Sequence, residues 1–150
     1  MTITYGINML PTSSSVIFCI APESISSNKD ASLFHIIQST YKTLGTLGCL
    51  CQDHDYATYL DDWLWSYKEN RFIPHEITPY SDINQVYIQE DITKLLGCKA
   101  ILNLTAQPLS VFQTHAEHLE LVCESDKIRQ RSNYQAYKQQ GITPQTRKLT

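Results

Sequence analysis

The chain predicts an α/β fold: a largely parallel central sheet with helices on both faces, Rossmann-like in topology but without a nucleotide site. Three observations predict it. Val16-Ile17-Phe18-Cys19-Ile20-Ala21 is a continuous apolar run, as expected of a central strand covered on both faces. Leu33, Phe34, Ile37, Tyr41 and Leu44 then repeat at helical spacing, and Gly45 follows where a helix often closes through a left-handed residue. Leu47–Cys51 returns as a short apolar strand, and a second helix and strand repeat the unit over residues 54–77. Strand, helix and strand in tight succession form a parallel crossover, so β-α-β-α-β builds a sheet with helices laid on it.

Taken in order, residues 2–9 alternate weakly and stop at Leu10-Pro11. Residues 22–29 form a serine-rich loop, and Asp30 is the expected cap of the first helix. Asp53 is the expected cap of the second. Advancing about 100° per residue over residues 54–67 places Tyr56, Leu60, Trp63, Leu64 and Tyr67 on one core-facing arc. Residues 72–77 read as a strand that Pro74 confines to a sheet edge or a strand end. Residues 85–89 and Ala100–Leu104 read as two further strands, with a short helix within residues 91–97. Residues 108–118 read as a weakly periodic helix and residues 119–123 as the last strand. Ser125 is the expected cap of a final helix that runs to about Gln140 and closes at Gly141.

A chain of 150 residues suggests one domain, able to bury about two-thirds of its unfolded surface. With 42% hydrophobic and 18% charged residues it belongs with globular chains. No apolar run is long enough for a membrane span, and Met1-Thr2-Ile3-Thr4-Tyr5 lacks a secretory leader's basic and apolar regions. The expected location is therefore the cytoplasm. Cysteines at 19, 49, 51, 98 and 123 are odd in number, which fits buried thiols in a reducing compartment. The net charge of −3 hides a split: residues 125–150 carry +5 and the preceding 124 residues carry −8. A basic end on an acidic body points to an anionic partner at that end.

Most chemistry is missing from the sequence. The turn after the first strand, Ala21-Pro22-Glu23-Ser24-Ile25-Ser26-Ser27-Asn28, holds no glycine, so a pyrophosphate has no close backbone approach there. Neither a dinucleotide fingerprint nor a P-loop occurs, and no nucleophile elbow does. Cys49, Cys51 and His54 resemble a metal fragment, but Cys49 and Cys51 share one face of a strand as small apolar residues. His115, His118 and Cys123 lack finger spacing, and Asp53, Asp55, Asp61 and Asp62 read as a solvated face. The expectation is no catalytic residue, no metal and no cofactor.

Two stretches stand out instead. Trp65 points away from the core arc of its helix, beside Thr58, Asp61 and Asp62. Either a second layer covers it, or it marks a partner site, where Trp is the most enriched anchor. In the final helix Lys127, Arg131, Tyr134 and Lys138 line up as one basic, aromatic stripe, leaving Ile128, Ser132 and Ala136 for the core.

Trp65, a gap of six residues and Phe72-Ile73-Pro74-His75 resemble the corresponding segment of the chi subunit family of bacterial DNA polymerase III. Arg131-Ser132-Asn133-Tyr134-Gln135-Ala136-Tyr137-Lys138, followed by Gly141, resembles the end of the same family. The resemblance implies a single chi-like domain over residues 14–150, with residues 1–13 an N-terminal extension or extra edge strand. It implies a non-catalytic replisome adaptor that joins the clamp loader, through the psi subunit, to the acidic C-terminal tail of single-stranded DNA-binding protein. A DNA-repair helicase is a further implied partner, and no direct nucleic-acid contact is expected. Trp65, Phe72, Ile73 and Pro74 would meet psi. Lys127, Arg131, Tyr134, Gln135 and Lys138 would meet the tail. Gln135 departs from the family's lysine and puts one charge contact in doubt. The alternative reading is a small α/β nucleotide-binding protein or enzyme with a degenerate phosphate loop.

Overall fold

The computed structural model describes residues 15–67, 72–109 and 116–150. Seven strands form one sheet: β1 (Val16–Ile20), β2 (Leu47–Cys51), β3 (His75–Ile77), β4 (Val86–Gln89), β5 (Ala100–Leu104), β6 (Glu117–Val122) and β7 (Gln145–Lys148). Their order is β3-β4-β2-β5-β6-β1-β7, and every pairing is parallel. Among the described residues three helices pack on it: α1 (Lys29–Leu44), α2 (His54–Ser66) and α3 (Lys127–Gln139).

Alternation along the strands assigns the two faces. Ile17, Cys19, Leu47, Cys49, Cys51, Ile88, Leu102 and Leu119 pack under Leu33, Phe34, Ile36 and Ile37 of α1 and Ala57, Leu60, Trp63 and Leu64 of α2. Val16 and Phe18 face the other way, against Tyr137 of α3. Leu50, Tyr87 and Ile101 share that second side with Leu95 of a 3-10 turn, Ile92–Leu95. Both faces of the central strands are apolar and covered, which is why β1 and β2 read as unbroken apolar runs. Gly48 lets the Leu95 side chain pack closely on β2, since a Cβ there would stand 3.1 Å from it. The cysteines at 19, 49, 51, 98 and 123 are buried and free. Burial pushes the Cys19 thiol up to about 11 and the Cys51 and Cys98 thiols to about 12, so they pack as neutral groups.

Several boundaries differ from the sequence reading. The cap of α1 is Asn28, whose side chain accepts from the Ala31 N–H, and Asp30 lies inside the first turn. Asp53 does cap α2, accepting from the Tyr56 N–H at 2.8 Å. β3 begins only at His75, because Pro74 has no N–H to give to a ladder. Its carbonyl nevertheless accepts from the Val86 N–H at 2.9 Å, so the chain enters the sheet at Pro74. The expected helix over residues 108–118 overlaps β6, which already includes Glu117 and His118, and residues 110–115 of that expectation lie outside the described residues. Ser125 caps nothing: it sits in a 3-10 turn, Glu124–Asp126, that runs directly into α3. The last strand is not β6 but β7, paired with β1 at the sheet edge. The expected extension over residues 1–13 also lies outside the described residues.

Candidate partner-docking sites

α2 turns Trp63 inward and Trp65 outward. Trp63 packs on Phe34 and Tyr67, whereas Trp65 is 58% exposed, with no second layer among the described residues covering it. The chain returns so that Phe72, 67% exposed, lies beside it with ring centroids 5.6 Å apart. Two large, adjacent and accessible aromatic rings form a patch that water solvates poorly. The four expected residues do not all face solvent. Ile73 is buried in the core beneath the patch, and Pro74 is half-buried. His75, which the sequence suggests is structural or interfacial rather than catalytic, lies beneath the patch with its ring 4.6 Å from that of Trp65.

The second site is the outer surface of α3. Lys127, Arg131, Gln135 and Lys138 are exposed, and none of them enters an ion pair among the described residues. Arg129 is different: its Nε donates to Asp126 at 3.1 Å and its Nη1 to the Thr105 carbonyl. Tyr134 is half-buried, with its ring edge-on to Phe18 at 5.3 Å. The stripe is therefore four polar side chains flanking a ring that Phe18 holds in place.

The face of α3 expected to meet the core is wrong. Ile128 is 84% exposed and Ser132 is exposed, while Gln130, Asn133 and Tyr137 point inward. The physical reason is Glu120 on β6, which is wholly buried. Tyr137 donates its hydroxyl to Glu120 at 2.7 Å, as does the Asn103 side-chain amide at 2.7 Å, and Asn133 donates at 3.4 Å. Burial raises the Glu120 carboxyl above its ordinary value, opposed by these hydrogen bonds and by the Arg129 charge. A buried polar group must be partnered, so α3 turns the Asn133 amide and the Tyr137 phenol toward Glu120 and Ile128 outward; the buried Gln130 amide has no hydrogen-bond partner among the described residues. The sequence signal was available in Glu120, a carboxylate between Leu119 and Leu121 in an apolar strand.

At the C-terminal ends of β2, β5 and β6 lies a cavity of about 270 Å³, where Lys29, Gln52, Tyr56 and Arg129 meet. Open parallel sheets bind nucleotides in such a place. Here Arg129 is already engaged, and the loop before α1 lacks glycine. Among the described residues no three His, Cys, Asp or Glu gather as a metal site, and no helix is long and apolar enough to cross a membrane.

A family model of the DNA polymerase III chi subunit, HolC, matches residues 14–145. The chain belongs to the chi subunit family. It is accordingly an accessory subunit of the DNA polymerase III complex. No individual curated protein matches it. The chi match spans both the Trp65–Phe72 patch and α3.

Proposed function

We propose that this chi-family subunit is a non-catalytic bridge, holding the psi subunit at the Trp65–Phe72 patch and the acidic tail of single-stranded DNA-binding protein at α3. The observation that carries the proposal is the pair of exposed, mutually packed rings at Trp65 and Phe72. An indole and a phenyl ring in contact with water gain by being covered, and such anchors dominate protein interfaces. Ile73 anchors the adjoining chain in the core, and the Pro74 carbonyl ties it to β4.

The α3 surface suits a different partner. Such tails carry aspartates and end in an apolar aromatic residue with a free carboxylate. Arg131 offers that carboxylate two parallel hydrogen bonds, Tyr134 offers half a ring, and Lys127 and Lys138 steer the aspartates. Gln135 adds a neutral hydrogen-bonding group. Ile128, exposed between Lys127 and Arg129, adds apolar surface that no sequence reading placed there.

Titration calorimetry with purified psi tests the bridge. Trp65→Ala should weaken psi binding by at least about 2 kcal/mol, roughly 30-fold, and leave the melting temperature nearly unchanged. A mutant that melts several degrees lower yet binds psi normally would place Trp65 among the structural residues and end the reading.

A further inference from the structure

Trp65 rests on a buried histidine. The His75 side chain has no exposed surface. Its Nδ1 lies 2.6 Å from the Ile73 carbonyl oxygen, and its Nε2 lies 3.2 Å from the Asp61 carbonyl oxygen and 3.3 Å from the Asp61 carboxylate. All three partners are acceptors. A neutral imidazole carries one N–H and one lone pair, so in either tautomer a nitrogen lone pair would face an oxygen lone pair. The imidazolium alone donates at both ends. In that form a cation lies 4.6 Å from the centre of the Trp65 indole, within cation–π range, and Trp65 in turn packs on Phe72.

Among the described residues, Asp61 on α2 is the charged group facing His75. β4 brings apolar Val86 opposite it in register. Glu76, next along β3, accepts instead from the Gln85 side-chain amide.

We propose that His75 is the positioning residue of the Trp65–Phe72 surface and that it works as an imidazolium, so that this surface holds its protein partner more tightly in acid than in base. The proposal rests on the docking reading above. An exposed aromatic pair must be ordered when a partner binds, and order supplied beforehand strengthens binding. The charged ring supplies it by tying β3 to α2 beneath the indole. Deprotonation leaves one N–H for two acceptor ends, so the ring gives up its bond to either Ile73 or Asp61 together with the attraction to the indole, and Trp65 loses its support.

Histidine changes charge between about pH 5 and pH 8, and the experiment spans that range with psi as the probe. The affinity of wild type relative to His75→Asn should be about fivefold higher at pH ~6 and should fall toward equality at pH ~8. Changes in psi itself cancel in that ratio. The emission assigned to Trp65, taken as wild type minus Trp65→Phe, should fall on acidification, because an adjacent imidazolium quenches an excited indole. Asp61→Asn keeps the ring and removes the partnering charge, so it should move the emission midpoint to lower pH. That variant decides the matter if His75→Asn fails to fold. A constant affinity ratio across the range, no pH step in Trp65 emission, or an unmoved midpoint in Asp61→Asn each overturns the proposal. If Trp65→Ala leaves psi affinity unchanged, the docking reading falls and takes the proposal with it. If Trp65→Ala weakens binding but the ratio is flat, only the role of His75 falls.

Discussion

Arg131 and Arg129 lie on the same helix and do different work. Arg129 is spent on Asp126 and the Thr105 carbonyl, whereas Arg131 is exposed and enters no ion pair among the described residues. Arg131→Glu should therefore abolish binding of a labelled tail peptide in fluorescence anisotropy, because it removes a bidentate donor and adds repulsion. Gln135→Lys should strengthen binding by about 0.5–1 kcal/mol, the worth of one exposed charge pair, and the gain should shrink as salt is raised. Unchanged affinity for Arg131→Glu at low salt would remove the tail from α3. At this scale the sequence was readable wherever a single helical wheel decided the outcome. Trp65 lies opposite Tyr56 on α2, away from the core arc, and it is exposed. Ile128 was misplaced because periodicity treats every isoleucine as inward. Nothing in the α3 stretch by itself reveals that Glu120 waits beneath it for amide and hydroxyl donors.

Elements were legible in proportion to how much apolar surface they bury. β2 and β5 have the limits the sequence suggested, since Leu47–Cys51 and Ala100–Leu104 are hydrophobic runs within a covered sheet. β7, Gln145-Thr146-Arg147-Lys148, is exposed throughout and has no alternation to read. Its place depends on the ladder with β1 and on Arg147, which donates to Glu117 on β6 across the intervening strand. β6 was misjudged at its start because His118 looks polar, yet it is fully buried, with neither ring nitrogen hydrogen-bonded among the described residues. Desolvation lowers its pKa from 6.5 to about 4. A base held below its unfolded value contributes stability above the unfolded pKa and loses it as pH falls to the folded value. Wild type should thus lose stability from about pH 6.5 down to about pH 4, by on the order of 3 kcal/mol from this residue. Glu120 works in the opposite sense. Its raised pKa means its contribution is full in acid and declines as pH rises, so it offsets part of the loss. Urea unfolding of His118→Leu across this range should show a shallower acid slope than wild type. Equal slopes would show that His118 does not govern the acid limb.

At the scale of the molecule, the sheet separates the two proposed surfaces. Trp65 and Phe72 adjoin β3, the edge strand on one side, while α3 packs over β1 and β6 near the other. Four strand spacings of about 4.8 Å put β3 and β6 roughly 19 Å apart, and the surfaces lie on elements from opposite faces of the sheet. Sites so far apart, with no shared side chain among those described, should be energetically independent. The charge split agrees with this division, since the basic residues of 125–150 include the α3 stripe and the acidic body includes Asp61 and Asp62 beside Trp65. A bridge needs this independence, because binding at one end must not weaken binding at the other. The expected result is a cycle that closes. Trp65→Ala should leave tail-peptide affinity unchanged, and Arg131→Glu should leave psi affinity unchanged. The double mutant should lose both by the sum of the single effects within about 0.5 kcal/mol. A ternary complex of wild type, psi and tail peptide should form in sedimentation with affinities equal to those of the binary complexes. If psi displaced the peptide instead, the two surfaces would overlap or couple through the sheet, and the subunit would be a switch between partners rather than a link joining them.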